Sequence, residues 1–246
     1  MGNQLPVVLV HSARVSRTMW RPQLEALHRS GREAFAVDLP GHGQRTRERF
    51  TVDGSIATID EAVMRAGGRA VVTGVSLGGY LGIAYTGRHP ERVAGLLVSS
   101  CSTVTDRSVT DAWLLLTRLI ARLPDQGAWL NQRAVNLSLP PQGARDAGAG
   151  GFALDVMVDM LTAMRHVDPL ADLRRATCPV WIVNGQWDHF RVQERTFARV
   201  PRDGRLMRVR GATHLVNLAR PVVYSRVLLE ALEEVDAREA GPTPSG

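Results

Sequence analysis

The chain contains no lysine. All 30 basic residues are arginine, set against 24 acidic ones for a formal charge of +6. Arginine codons are GC-rich and lysine codons are not, so the bias points to a GC-rich bacterial genome. The arginines are scattered, and no basic run is interleaved with aromatics, so no nucleic-acid partner is expected. Cysteine is nearly absent as well. Cys101 and Cys178 lie far apart, and free, buried thiols in a cytoplasmic protein are expected. No apolar stretch reaches about 18 uninterrupted residues, so no membrane span is expected. The N-terminus enters an apolar run by Leu5 without the pattern of a signal peptide. No two histidines or cysteines have metal-ligand spacing, so no metal is expected. No phosphate loop or dinucleotide fingerprint is present, so no cofactor is expected either.

At 246 residues and 44% hydrophobic content, the chain can bury one sizeable core with room for an insertion. Strand-like and helix-like runs alternate. Apolar runs at 6–10, 34–38, 69–74, 93–99, 179–184 and 205–210 read as strands. They are continuous in Val, Leu and Ile, as strands covered on both faces should be. Helices are predicted at 19–30, at 53–66 with Asp53 as cap, and at 77–89. This alternation argues for an α/β protein: a three-layer α/β/α sandwich with a mostly parallel sheet of about six strands. Residues 1–100 and 177–240 would form its core, and 241–246 a frayed tail. Between them, 101–176 breaks the alternation. It offers an apolar helix around Trp113–Leu123 and an amphipathic one over Phe152–His166, with Leu154, Met157, Val158, Leu161 and Met164 inward.

The most informative segment is Gly74-Val75-Ser76-Leu77-Gly78-Gly79. It reads G-x-S-x-G between a strand and a helix, which puts Ser76 on a sharp corner with its hydroxyl above the sheet. A serine needs a general base, and the base an orienting acid. Asp188 follows the strand at 179–184, and His214 follows the strand at 205–210. All three residues thus fall just past strand ends, where open parallel sheets bind ligands. Ser76 is the expected nucleophile, His214 the base and Asp188 the acid. The other histidines compete poorly. His28 lies on a helix, His89 ends one, His166 ends the insertion's helix, from which it can face the site, and His189 precedes the final strand.

These motifs resemble the α/β-hydrolase superfamily along nearly the whole chain. Val7-Val8-Leu9-Val10-His11 resembles the strand leading into its oxyanion loop. Asp38-Leu39-Pro40-Gly41-His42-Gly43 and His89-Pro90-Glu91-Arg92-Val93 match two further loops. The resemblance implies an oxyanion hole made by the backbone N–H groups of Leu77 and Ala13. It also implies that 101–176 is a helical cap, with Trp113 and Leu116 on its underside and Ser12 and Trp20 lining the pocket below. One departure stands out. Relatives carry His-Gly where this chain has His11-Ser12, and glycine there allows positive φ. The implied activity is hydrolysis of an ester, thioester or related acyl bond in a mainly apolar small molecule. Alternatives are a lyase, cyclase or epimerase using His214 alone, or a ligand-binding non-enzyme.

Overall fold

The computed structural model describes residues 4–104, 107–123 and 125–241. Six strands form one sheet in the order β2-β1-β3-β4-β5-β6. They are β1 (Val7–Val10), β2 (Ala34–Val37), β3 (Ala70–Val75), β4 (Val93–Ser99), β5 (Val180–Gly185) and β6 (Gly204–Val209), and every pairing is parallel. The helices in chain order are α1 (Arg21–Arg29), α2 (Val52–Arg65), α3 (Leu77–Arg88), α4 (Arg107–Ile120), α5 (Ala128–Ser138), α6 (Pro141–Gly148), α7 (Met157–Met164), α8 (Pro169–Arg175), α9 (Glu194–Arg199), α10 (Val216–Ala219) and α11 (Pro221–Glu239). The expected tail lies, from 242 onward, outside the described residues.

The two faces of the sheet explain the continuous apolar runs. Val8, Val10, Val72, Leu96, Val98 and Ile182 point to one face and pack with Ile56 and Ile59 of α2, Leu81 of α3 and Phe197 of α9. Their neighbours Val7, Leu9, Val71, Leu97, Trp181 and Val183 point to the other face, onto Leu27 of α1 and Leu228 and Leu232 of α11. Side chains alternate along each strand, and both faces of the central strands are covered, so their runs stay mainly apolar, whereas the edge strand β6 carries Arg205 and Arg208. Both free cysteines are buried, and burial pushes the Cys178 thiol up to about 12.

Two local expectations are corrected. Thr51, not Asp53, caps α2: its hydroxyl accepts the Gly54 N–H at 3.0 Å. Asp53 sits in the first turn and pairs with Arg88 at 2.7 Å. The helix expected from Phe152 begins only at Met157, and the segment before it is tied to the oxyanion loop by the Ala153 N–H, which donates to the Arg14 carbonyl at 2.9 Å. Below the sheet, entry and exit are tied together. The Arg32 guanidinium donates to the Leu5 carbonyl at 2.8 Å and to Asp236 at 2.5 Å. The Leu5 N–H donates to the same carboxylate at 3.1 Å.

Candidate active site

Ser76 sits between β3 and α3 with φ 55° and ψ −114°. Such a conformation costs a non-glycine residue on the order of 1–3 kcal/mol. The Ser76 N–H donates to the Ser99 carbonyl of β4 at 2.8 Å, which helps hold the corner. The flanking glycines are needed for close approach. A Cβ on Gly74 would strike the Gly78 backbone, and one on Gly78 the Val10 carbonyl.

The three chain-distant residues meet here. His214 Nε2 lies 3.0 Å from Ser76 Oγ, and His214 Nδ1 lies 2.8 Å from Asp188 Oδ1. Facing a carboxylate, Nδ1 carries the proton and Nε2 is left to accept from the serine. Asp188 Oδ1 also accepts the Phe190 N–H at 2.9 Å, while its buried Oδ2 has no partner. Burial pushes the Asp188 carboxyl up, but the bonds from His214 and Phe190 outweigh it and hold the group below its ordinary 3.8. Ser100, a positive-φ residue at the end of β4, fixes the His214 loop through a bond to the His214 carbonyl at 2.5 Å. Asn184 holds the Ser100 N–H at 3.0 Å from the end of β5.

Ala13 and Leu77 both line the cavity over Ser76. Ser12 does not take the left-handed conformation that glycine would permit. The left-handed residue of this loop is Arg14, at φ 65°. The Ser12 N–H points away, to the Met19 sulfur at 3.2 Å. Two buried histidines brace the loop. His11 accepts the Leu39 N–H at Nε2 (3.0 Å), and its Nδ1 donates to the Ser12 carbonyl (2.8 Å). His42 accepts the Arg14 N–H at Nε2 (3.3 Å), and its Nδ1 donates to the Pro40 carbonyl (3.0 Å). Both therefore need to be neutral. Burial, aided by His42, pushes His11 down to about 3, and burial lowers His42 as well.

The cavity has a volume of about 310 Å³. Ser76, His214 and the loop at 12–15 form its floor. Trp113, Asn131, Met157, Met160, Leu161 and Met164, all between β4 and β5, form its roof. Ser12 and Trp113 therefore stand where expected. Trp20 and Leu116 do not. Trp20 is fully buried against Tyr224 in the core, with ring centroids 6.1 Å apart. Leu116 is 50% exposed on the outer side of α4 and absent from the lining. His28 and His166 are exposed. His189, by contrast, reaches the site, with its ring 4.7 Å from that of His214. Asp188, His189 and His214 present ligand-type atoms within 4.8 Å of one another, a convergence that sequence spacing hid. Both nitrogens of His214 are already engaged, by Asp188 and Ser76. A more open groove of about 710 Å³ between α1 and α11 carries no histidine and no cysteine. Among the described residues, no helix is long and apolar enough to cross a membrane.

With this geometry in view, the chain matches the Alpha/beta hydrolase family over residues 7–227 and belongs to that family. Its fold is shared with a thermophilic esterase from Thermogutta terrifontis (TM-score 0.80, 22% identity, covering 96% of this chain and 92% of that one). It is also shared with a carboxylesterase structure from Nitrososphaera gargenis (TM-score 0.79, 18% identity, 97% and 94% covered). A pig protein named 1-acylglycerol-3-phosphate O-acyltransferase ABHD5 (Sus scrofa) is 30% identical over 105 residues, 40% of this chain and 30% of that protein. The match thus spans under a third of that relative's length.

Proposed function

We propose that the protein is a serine hydrolase that cleaves an ester, thioester or related acyl bond of a mainly apolar small molecule. The observation that carries this reading is the unbroken chain Ser76 Oγ–His214 Nε2 and His214 Nδ1–Asp188 Oδ1, at 3.0 and 2.8 Å, opening into the cavity. Ser76 Oγ attacks the acyl carbon as its proton passes to His214 Nε2. The negative oxygen that forms is taken by the N–H groups of Ala13 and Leu77, and neither N–H has another acceptor among the described residues. The leaving group departs with the proton from His214, and an acyl-Ser76 remains. Water then attacks under His214 as base and releases the acid. Asp188 keeps the proton on Nδ1 and stabilises the imidazolium.

The helices between β4 and β5 act in this reading as a cap, their thioether and aromatic side chains roofing the acyl group. Ser12 keeps an ordinary negative φ and the N–H groups of Ala13 and Leu77 are left without an acceptor among the described residues, so ordinary acyl chemistry is preferred over reactions using His214 alone.

The test is intact mass after incubation with a fluorophosphonate, on the wild type and on Ser76→Ala. One adduct on the wild type and none on the variant supports the reading, and ester and thioester panels follow. A folded wild type that takes no adduct rules it out.

A further inference from the structure

The Arg14 side chain has no partner among the described residues. It lines the cavity, yet its guanidinium forms no ion pair or hydrogen bond among the described residues. The side chain is solvent-exposed within the cavity, and the surrounding protein still pulls its pKa below the ordinary value, with no carboxylate to raise it again. The other cation in the wall, Arg165, is paired with Asp111. No aspartate or glutamate is among the described lining residues. The cavity is therefore a mainly apolar chamber holding one uncompensated positive charge.

Asn131 adds a second donor. The residue is only 7% exposed, lines the same cavity, and its buried Nδ2 has no partner. Buried donors are nearly always satisfied, and an orphan calls for a ligand or water to explain it.

The backbone of Arg14 is held as well. Its φ of 65° is a conformation that suits glycine and costs an arginine stability. His42 receives its N–H at 3.3 Å, and the Ala153 N–H caps its carbonyl at 2.9 Å. One clamp comes from the loop after β2 and the other from the segment before α7. The backbone that carries the guanidinium is thus placed before any ligand arrives, which lowers part of the ordering cost of binding.

We infer that Arg14, with Asn131, receives an oxyanionic group on the substrate, a carboxylate or a phosphate remote from the scissile acyl bond. A guanidinium presents a planar fork of donors that fits either group. A substrate that fills the cavity covers the solvent-exposed guanidinium; a neutral one strips its water and leaves it without a partner, whereas an anionic one pairs with it. This inference rests on the hydrolase reading for the bond cleaved, but not for the anion bound.

Three matched p-nitrophenyl esters test it: the neutral hexanoate, the mono-ester of adipate, and a phosphate-terminated analogue of the same length. The wild type should show a kcat/KM for one charged ester about 10- to 100-fold above the neutral one, as for a charge-assisted bond. Arg14→Gln should bring that ratio close to one, and the charged ester preferred by the wild type identifies the group. Arg14→Lys should recover more of the ratio with phosphate than with carboxylate, since an ammonium acts as a point charge. A charged-to-neutral ratio that Arg14→Gln leaves unchanged overturns the inference, including the case where all three esters slow alike. Calorimetry with adipate and inorganic phosphate on both proteins reads the anion site without turnover. Anion binding lost in Arg14→Gln, with no ester cleaved by the wild type, would remove the hydrolase reading and keep the anion site. No binding of either anion and no preference among the esters overturns the site alone.

Discussion

Asp188→Asn is the most discriminating change at this site. Two donors to Asp188, the His214 Nδ1–H and the Phe190 N–H, converge on Oδ1, and Oδ2 has no hydrogen-bond partner among the described residues. An asparagine can therefore keep its oxygen under both donors and place its amide nitrogen where Oδ2 stood. The imidazole then keeps its tautomer and orientation, and only the negative charge is lost. Unit charges about 4 Å apart at an effective dielectric of about 20 attract by about 4 kcal/mol. At about 1.36 kcal/mol per decade, that is roughly a thousandfold in rate. A variant that instead forced the wrong tautomer would lose about ten thousandfold. The new amide nitrogen takes the buried place of Oδ2, where the described residues give no hydrogen bond, so stability should also fall by about 1–3 kcal/mol. The assays are kcat/KM on a p-nitrophenyl ester, the rate constant for fluorophosphonate labelling, and thermal melting. A loss under about tenfold would show that Asp188 is not the acid. A loss as complete as that of Ser76→Ala would refute the preserved-tautomer argument.

Asn131→Leu should raise the melting temperature, because it removes a buried donor without a partner, while lowering turnover of the anionic ester; melting and kinetics on one preparation check both. Gly78→Ala should fail to fold, since its Cβ meets the Val10 carbonyl, whereas Gly82→Ala should fold, its Cβ lying 3.4 Å from the Val72 side chain; soluble yield and circular dichroism distinguish them. Acid stability should follow the buried histidines. His11 titrates near 3 folded against 6.5 in the unfolded chain. Its contribution is therefore complete above pH 6.5 and is lost as pH falls from there toward 3. The Asp188 carboxyl, lowered from 3.8, loses its contribution only below that value. The urea midpoint should thus drop between pH 6.5 and 4, and a flat midpoint over that range would contradict the neutral-histidine bracing.

The strand pattern and the three catalytic candidates were legible because each depends on local signals. Strands buried on both faces leave continuous apolar runs, and the fold's topology orders the residues at their ends. Trp20 was misplaced because a loop position close to the pocket in sequence gives no side-chain direction, and its indole turns into the core toward Tyr224. The tie between the segment before α7 and the oxyanion loop was hidden because its two ends, Ala153 and Arg14, are far apart in sequence. Arg14 carried no signal of its own among 30 arginines. Its place in the cavity wall distinguishes it, and that is a property of the packed molecule. His42 belongs to a loop that reads as a simple chain reversal, yet its imidazole holds the Arg14 N–H. The sign that was available was the Ser12 departure, which showed that this loop differs from its relatives without showing where.

The clasp of Arg32 and Asp236 around Leu5 has a practical side. It gathers the start of β1 and the end of α11 at the base of the sheet, while Ser76 and the cavity mouth lie at the opposite strand ends. A tag, linker or fused domain added at either end therefore leaves from the far pole of the molecule. Tethered to a solid support through such an extension, each copy would stand with its cavity turned outward to the passing solution.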